Sequence, residues 1–180
     1  MQRRTKIAVL GVVLLLTTGA TGSAMASATD SHPQREAAAL TGTAKLYRVA
    51  GDDITFTFDA HLAARDTADP LKATGTFRFS HYAANGEGGW AKAKVDCLVT
   101  GGKVAVVSGV ITDTDLDGVE GHRVGISVHD TGGVDRLGYS WAASEDMGPK
   151  NLPKCVSSAP FEKVKKGTGD FRVVPWQPGF

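Results

Sequence analysis

Apolar and polar side chains alternate with a period of two along most of the chain after residue 40. The alternation is clearest at residues 54–62, where Ile54, Phe56 and Phe58 are separated by Thr55 and Thr57. Because successive side chains of a β-strand point to opposite faces, this pattern predicts a strand with one buried face. Six further segments of strand length follow, at residues 76–81, 90–99, 103–111, 123–129, 134–142 and 170–174.

Turn-forming residues separate these segments, and Gly101-Gly102 predicts a two-residue hairpin turn. Seven or eight short strands without a helical pattern predict an all-β fold, either an antiparallel β-barrel or a β-sandwich. No linker divides residues 40–180, so we expect them to form a single domain. Residues 29–39 show no strand pattern and are expected to form a flexible N-terminal lead.

Residues 1–28 have the organisation of a secretory signal peptide. Three cations precede an uncharged apolar run at residues 7–16, which is too short to span a bilayer of ~30 Å as a helix. The small residues that follow predict cleavage after residue 26 or 28. We therefore expect a secreted, extracellular protein without a membrane span. An uncleaved anchor is the alternative, and the Arg3-Arg4 pair leaves twin-arginine export open beside the general secretory route.

The charge of the mature chain differs from that of the whole sequence. Removal of Arg3, Arg4 and Lys6 leaves 17 basic and 19 acidic residues, so the net charge becomes −2 instead of +1. A nearly neutral chain with mixed charges gives no basis for binding nucleic acid or anionic membranes. We expect a monomer whose partner is an extracellular ligand or surface component.

The two cysteines, Cys97 and Cys155, are expected to form one disulfide, because an oxidising compartment favours pairing in a secreted chain. Closing this loop would stabilise the fold by roughly 4 kcal/mol. Free thiols or metal ligation are the alternatives. No C-x-x-C motif is present, which indicates a structural bond. Residues 145–160 contain three prolines besides Cys155 and are expected to form a long loop held by this bond.

The segment 113–118 contains Asp113, Asp115, Asp117 and then Gly118. Carboxylates at positions 1, 3 and 5 with glycine at position 6 match the first half of a calcium-binding loop. The twelfth position is Val124, so the bidentate glutamate of an EF-hand is missing. The pattern predicts either a calcium site in a hairpin loop or an ordinary exposed turn. No other cofactor is expected.

Two further residues are candidates for ligand binding. His81 follows Phe77 and Phe79 with strand parity, which predicts a position at the inner rim of a strand end. Trp90 follows a glycine-rich turn and is expected to form an exposed platform. Trp141 is expected in the core, and Trp176 over one end of the barrel. No G-x-S-x-G or H-E-x-x-H motif is present, and no catalytic residue is assigned.

Five segments resemble a family of small, secreted and largely uncharacterised bacterial β proteins, some of which are labelled repetin. They are ITFTFDAH at 54–61, GTFRFSHY at 75–82, VDCLVTGG at 95–102, RLGYSW at 136–141 and KCVSSAPF at 154–161. The resemblance implies export and a compact β fold, and it carries no mechanism. The order of strands, with His129-Asp130-x-Gly-Gly before Asp135-Arg-Leu, is more distantly similar to accessory β modules of secreted surface proteins.

These observations favour a secreted, non-catalytic β domain that binds an extracellular ligand, which is a polysaccharide, a protein or a small molecule. The alternative is a small secreted enzyme, similar to a hydrolase or a cyclase, with a site in the barrel mouth around His81. A deep pocket that combines His81 with a carboxylate and an aromatic residue would favour the enzyme. A flat face bearing Trp90 would favour the binding domain.

Overall fold

The computed structural model describes residues 36–141, 152–157 and 160–176. They form nine β-strands and two single turns of 3-10 helix, which confirms the predicted all-β class. The strands are β1 (Glu36–Lys45), β2 (Asp53–Ala63), β3 (Thr74–Tyr82), β4 (Gly88–Gly101), β5 (Val104–Thr114), β6 (Arg123–His129), β7 (Arg136–Tyr139), β8 (Glu162–Lys163) and β9 (Asp170–Val174). The helical turns, Ala64–Asp66 and Pro70–Lys72, connect β2 to β3. No helix among the described residues is long and apolar enough to cross a membrane.

All nine strands belong to one antiparallel sheet in the order β8-β7-β6-β5-β4-β3-β2-β1-β9. The sheet curls into a half-barrel, so of the two predicted architectures the barrel-like one is present. The strand β8, at one end of this order, is linked to β1, the neighbour of β9 at the other end, because Val164, directly after β8, bridges Leu46, directly after β1. Backbone hydrogen bonds join the two segments, from the N–H of Tyr47 to the carbonyl of Lys163 and from the N–H of Lys165 to the carbonyl of Lys45.

The inner face of the sheet is filled by the apolar positions of the predicted alternation. In β2, Ile54, Phe56 and Phe58 are buried, whereas the intervening polar residues are partly or fully exposed. Burial of each large apolar side chain contributes about 1.5–3 kcal/mol. Gly109 of β5 makes room for this packing, since a Cβ atom there would lie 2.7 Å from Cε1 of Phe77.

Strand β1 begins four residues before the predicted start of the domain at residue 40. The prediction of a flexible lead is therefore wrong for residues 36–39; residues 1–35, which include the predicted signal peptide, lie outside the described residues. Ala38 and Ala39 are buried, and they pair with Leu62 and His61 of β2. Consecutive alanines carry no alternation, which is why the pattern did not reveal them. The hairpin turn between β4 and β5 also lies one residue later than predicted, at 102–103.

The outer edge of β9 is bound by side chains instead of a neighbouring strand. Asp135 Oδ2 accepts the N–H of Phe171 at 2.8 Å, and Asp130 Oδ2 accepts the N–H of Val173 at 3.2 Å. Both carboxylates are buried, and Asp130 also binds Nζ of Lys103 at 2.9 Å. The turn between β6 and β7 thus takes the place of a strand along this seam, because buried backbone donors need acceptors.

Residues 152–157, called the strap below, cross the outer face of β4, β5 and β6. The predicted disulfide is present and joins Cys155 of the strap to Cys97 of β4. The N–H of Cys155 donates to Oγ of Ser108 at 2.9 Å, and the guanidinium of Arg123 donates to the carbonyl of Leu152 at 3.0 Å. Gly125 of β6 lets the strap approach, since a Cβ atom there would collide with the carbonyl oxygen of Val156.

Candidate functional site

Three loops lie at one end of the half-barrel, which is called the mouth below. They are the β1–β2 loop at 46–52, the β3–β4 loop at 83–87 and the β5–β6 loop at 115–122. A cavity of about 390 Å³ opens there, called the mouth pocket. The described residues that line it are Phe79, His81, Ala83, Glu87, Gly88, Gly89, Leu116 and Trp141.

Two aromatic side chains form the wall of the mouth pocket that faces the core. The rings of Phe79 and Trp141 lie 4.5 Å apart between centroids, and Trp141 also packs on Tyr139 at 4.8 Å. Tyr139 is fixed in turn by Arg48, whose guanidinium donates to the phenol oxygen at 2.8 Å. Burial raises the pKa of Tyr139 above its ordinary value, so the phenol remains neutral. The aromatic wall is therefore a continuation of the packed interior.

A second wall is Leu116, which the β5–β6 loop places against β4. Asp115 Oδ1 accepts the N–H of Trp90 at 2.6 Å, and the hydroxyl of Thr114 donates to the carbonyl of Trp90 at 2.7 Å. Thr114 Oγ1 also accepts the N–H of Leu116 at 3.0 Å. A Cβ atom on Gly89 would lie 2.5 Å from Cδ2 of Leu116, so this position needs glycine for the loop to close over the strand.

The three aspartates of the predicted calcium loop lie in different local settings. Asp113 belongs to β5 and pairs with Lys92 of β4, Asp115 holds the backbone of Trp90, and Asp117 is exposed in the turn. Over residues 36–141, 152–157 and 160–176, no group of three or more His, Cys, Asp or Glu side chains is arranged to hold a metal ion. The calcium site stays a prediction, and the visible role of Asp115 is to position Leu116.

The rim of the mouth pocket carries its polar groups. His81 lines the pocket at the end of β3, as its parity predicts, and Nε2 lies 3.0 Å from Oδ2 of Asp52. The His81 side chain is 57% exposed, so this pair is in contact with water. Glu87, which also lines the pocket, accepts a hydrogen bond at Oε2 from the Asn85 amide at 2.9 Å. Acidic and imidazole groups thus surround an apolar interior.

Trp90, the second predicted ligand-binding residue, lies away from this pocket. It pairs with Ser80 of β3, whereas Gly89 pairs with His81, and neighbouring residues of a strand face opposite sides of the sheet. The guanidinium carbon of Arg78 lies 4.2 Å from the centre of the Trp90 ring on the outer surface. The structure therefore does not bring His81 and Trp90 together, and one face of the Trp90 ring is covered.

Trp141, Leu116 and Gly89 are pocket residues that the sequence pattern did not identify. Trp141 was expected in the core, and it does pack against the core while lining the pocket. In the sequence, the aspartates of the β5–β6 loop indicated a site. The pocket wall, however, is contributed by Leu116, which lies between Asp115 and Asp117. Trp176, in contrast, packs over the far end as predicted, where its indole N–H donates to the carbonyl of Thr67 at 3.0 Å.

Comparison with known proteins supplies no relative from which a role could be transferred. No protein-family model matches the chain, and no curated protein or solved structure shows significant similarity to it. The similarity to the repetin-labelled family stays an expectation of the sequence. A function for this chain rests on the geometry of the mouth pocket.

Proposed function

We propose that this protein is an exported, non-catalytic β domain that binds a small, largely apolar molecule in the mouth pocket. The observation that supports this proposal is the pocket itself, with Phe79 and Trp141 on one wall and Leu116 on the other. Ligand pockets of proteins are concave, mainly apolar and bounded by few polar groups. This pocket has that composition, because its polar side chains are confined to the rim.

The size of the pocket favours a small molecule among the three ligand classes. A volume of about 390 Å³ is near the lower end of the range of roughly 300–1,000 Å³ for small-molecule sites. A protein partner would need a contact surface of roughly 800 Å² on this chain, so the pocket by itself is too small to be a protein-binding site. A polysaccharide platform at Trp90 is disfavoured because Arg78 covers one face of the ring.

A catalytic role is the second candidate, because the pocket combines His81, the Glu87 carboxylate and aromatic residues. The His81–Asp52 pair has the composition of a general base with its orienting carboxylate. Two features favour binding over catalysis. The pair lies in contact with water at the rim, and among the described lining residues no Ser, Thr, Cys, Tyr or Lys offers a nucleophile.

Export is supported by the apolar run at residues 7–16 and by the Cys97–Cys155 disulfide. Disulfides form and persist outside the reducing cytosol. The measurement is the intact mass of the protein recovered from culture medium under non-reducing conditions. We expect a chain that begins after residue 26 or 28 and lacks two hydrogens relative to the dithiol. A chain that retains residue 1 would contradict cleavage of a signal peptide.

The binding proposal is tested with N-phenyl-1-naphthylamine, a neutral dye whose fluorescence rises in apolar surroundings. We expect a saturable rise with the purified protein. Leu116→Asp should weaken binding by roughly tenfold, because it removes an apolar wall and adds a charge. Leu71→Asp is the matched control, since Leu71 is exposed in the second helical turn at the far end. Equal binding by both variants, with folding verified by circular dichroism, would refute the site.

His81→Ala distinguishes binding from catalysis at the same pocket. If the pocket only binds, the dye affinity should change by less than about twofold, because His81 is a rim group and not a wall of the apolar interior. In the catalytic case, a substrate found by screening ester, glycoside and phosphodiester compounds would lose turnover in this variant. Turnover by the parent protein that His81→Ala abolishes would replace the binding proposal.

A further inference from the structure

The charges around the mouth pocket specify the ligand more narrowly than its apolar walls do. We infer that the mouth pocket is selective for small organic cations, such as amines with an aromatic or aliphatic body. This inference rests on the proposed binding function and adds the charge of the ligand to it. Three observations support it: the carboxylates at the pocket, the absence of lysine or arginine from its described lining, and the aromatic wall.

Three carboxylates lie in the described lining of the pocket or beside it. Glu87 belongs to the lining, and Asp115 Oδ1 lies 2.6 Å from the position that a Cβ atom of Gly89 would occupy. Asp52 adds a third carboxylate at the rim, where it binds His81. A cation entering the apolar interior would keep its charged group beside these oxygens at the rim, where water also reaches it.

Positive side chains are absent from the described lining, since none of those eight residues is Lys or Arg. Arg48 contacts the hydroxyl of Tyr139 beyond the aromatic wall, but its charge is balanced by an ion pair with Glu162. His81, the one basic side chain of the described lining, has Nε2 3.0 Å from Oδ2 of Asp52. An anionic ligand would therefore meet carboxylates without a lysine or arginine partner in this lining.

The aromatic wall adds an attraction of its own for cations. The face of an aromatic ring carries partial negative charge, and tryptophan binds cations over its face better than the other aromatic residues do. Trp141 and Phe79 present such rings to the pocket. A cation–π contact of this kind is present on the outer surface of the same sheet, where the Arg78 guanidinium lies 4.2 Å from the centre of the Trp90 ring.

Three probes of one shape test the inference: 2-phenylethylammonium, 2-phenylethanol and phenylacetate share the phenyl body and differ in charge. Titration of ¹⁵N-labelled protein, followed by the indole resonance of Trp141 in NMR spectra, gives each dissociation constant. The indoles of Trp90 and Trp176 serve as internal references, since neither lines the pocket. We expect the ammonium compound to bind roughly fivefold tighter than the alcohol and the carboxylate to bind more weakly than both.

Glu87→Gln should reduce the preference for the ammonium compound over the alcohol by about threefold, because the ammonium group loses a carboxylate partner in the lining. Asp66→Asn is the matched control, because it removes one negative charge at the far end, in the first helical turn. The measurements are made at roughly 0.15 M ionic strength, where the Debye length is about 8 Å and distant charges are screened.

The outcomes separate this inference from the function on which it rests. Equal affinity for the three probes, or preference for the carboxylate, would overturn selectivity for cations and leave the binding proposal standing. The absence of binding by all three probes and by the neutral dye would overturn both. A preference for the ammonium compound that Asp66→Asn reduces as much as Glu87→Gln does would assign the effect to net charge and refute the role of the pocket.

Discussion

Two aspartate-rich turns of the sheet have similar sequences and different surroundings. The mouth turn, at residues 115–118, lies between β5 and β6; the seam turn, at residues 130–135, lies between β6 and β7. In the mouth turn, the exposed Asp115 accepts a backbone N–H from the neighbouring strand β4. In the seam turn, the buried Asp130 and Asp135 accept N–H groups of β9.

The difference follows from what each carboxylate replaces. In the seam turn, the two carboxylates supply hydrogen-bond acceptors that a neighbouring strand would otherwise provide, and a buried donor without an acceptor costs about 1–3 kcal/mol. The mouth turn is exposed to water, so its aspartates are not required as acceptors for buried N–H groups. Asp115 instead positions Leu116 at the pocket. The two turns are similar in composition, but the seam turn stabilises the fold, whereas the mouth turn forms part of a candidate site.

Replacing Asp135 by alanine should change the free energy of unfolding more than any other substitution in the two turns. The variant leaves the N–H of Phe171 without an acceptor in a buried position and also removes the acceptor of the Thr131 N–H. We expect the free energy of unfolding to fall by about 3 kcal/mol. Urea denaturation followed by tryptophan fluorescence measures it. An equal loss in Asp115→Ala would mean that the two turns do not differ as described.

Asp130→Asn should have the next largest effect, and this effect depends on pH. Burial alone would raise the pKa of Asp130, but hydrogen bonds from Lys103 and from the N–H of Val173 outweigh it and lower that pKa. A carboxyl group whose pKa is lower in the folded state contributes stability above its unfolded value of about 4 and loses it as pH falls through the folded value.

We therefore expect Asp130→Asn to lower the free energy of unfolding by about 1–2 kcal/mol at pH 7 and by less at pH 3, which lies below the unfolded pKa of about 4, so that part of the carboxylate's contribution is lost. Urea denaturation at the two pH values gives the comparison. A loss of the same size at both would show that the charge of Asp130 does not hold β9 at the seam.

Asp115→Ala should affect the pocket more than the fold. Its carboxylate is exposed and accepts one N–H, so we expect a loss of about 1 kcal/mol or less in unfolding free energy. Because Leu116 loses its anchor, the affinity for the neutral dye should fall by roughly threefold. Unchanged affinity would refute the positioning role. A thermal midpoint raised by millimolar calcium, and not in this variant, would instead establish the predicted metal site.

Asp170→Asn should change the free energy of unfolding least, and it should stabilise the protein instead of destabilising it. The neighbouring Asp135 carboxyl raises the pKa of Asp170, so the folded state binds this proton more tightly than the unfolded state does. Stability therefore increases as pH falls through the raised pKa, and at neutral pH the like charges cost free energy. We expect Asp170→Asn to stabilise the protein by about 0.5 kcal/mol at pH 7 and not in acid, measured by urea denaturation. Destabilisation at pH 7 would contradict repulsion between the two carboxyl groups.

Several features of the fold were predictable because they depend on neighbours in sequence. The alternation of Ile54, Phe56 and Phe58 follows from the geometry of one strand, and it correctly gave the buried face of β2. The pairing of Cys97 with Cys155 needed no geometry, since the chain has only two cysteines. The run of alanines at the start of β1 was missed, because residues of one kind give no alternation to follow.

The seam and the mouth pocket were decided by tertiary structure. Asp135 and Phe171 are 36 residues apart, and nothing in the local pattern of either residue indicates that one accepts a hydrogen bond from the other. The pocket walls likewise come from β3, the β5–β6 loop and the residues after β7. The sequence determined which side of β2 and of β3 faces inward, since that depends on a two-residue period. The curl of the sheet decided which aspartates became buried and which loops met around a cavity, because those contacts join residues far apart in the chain.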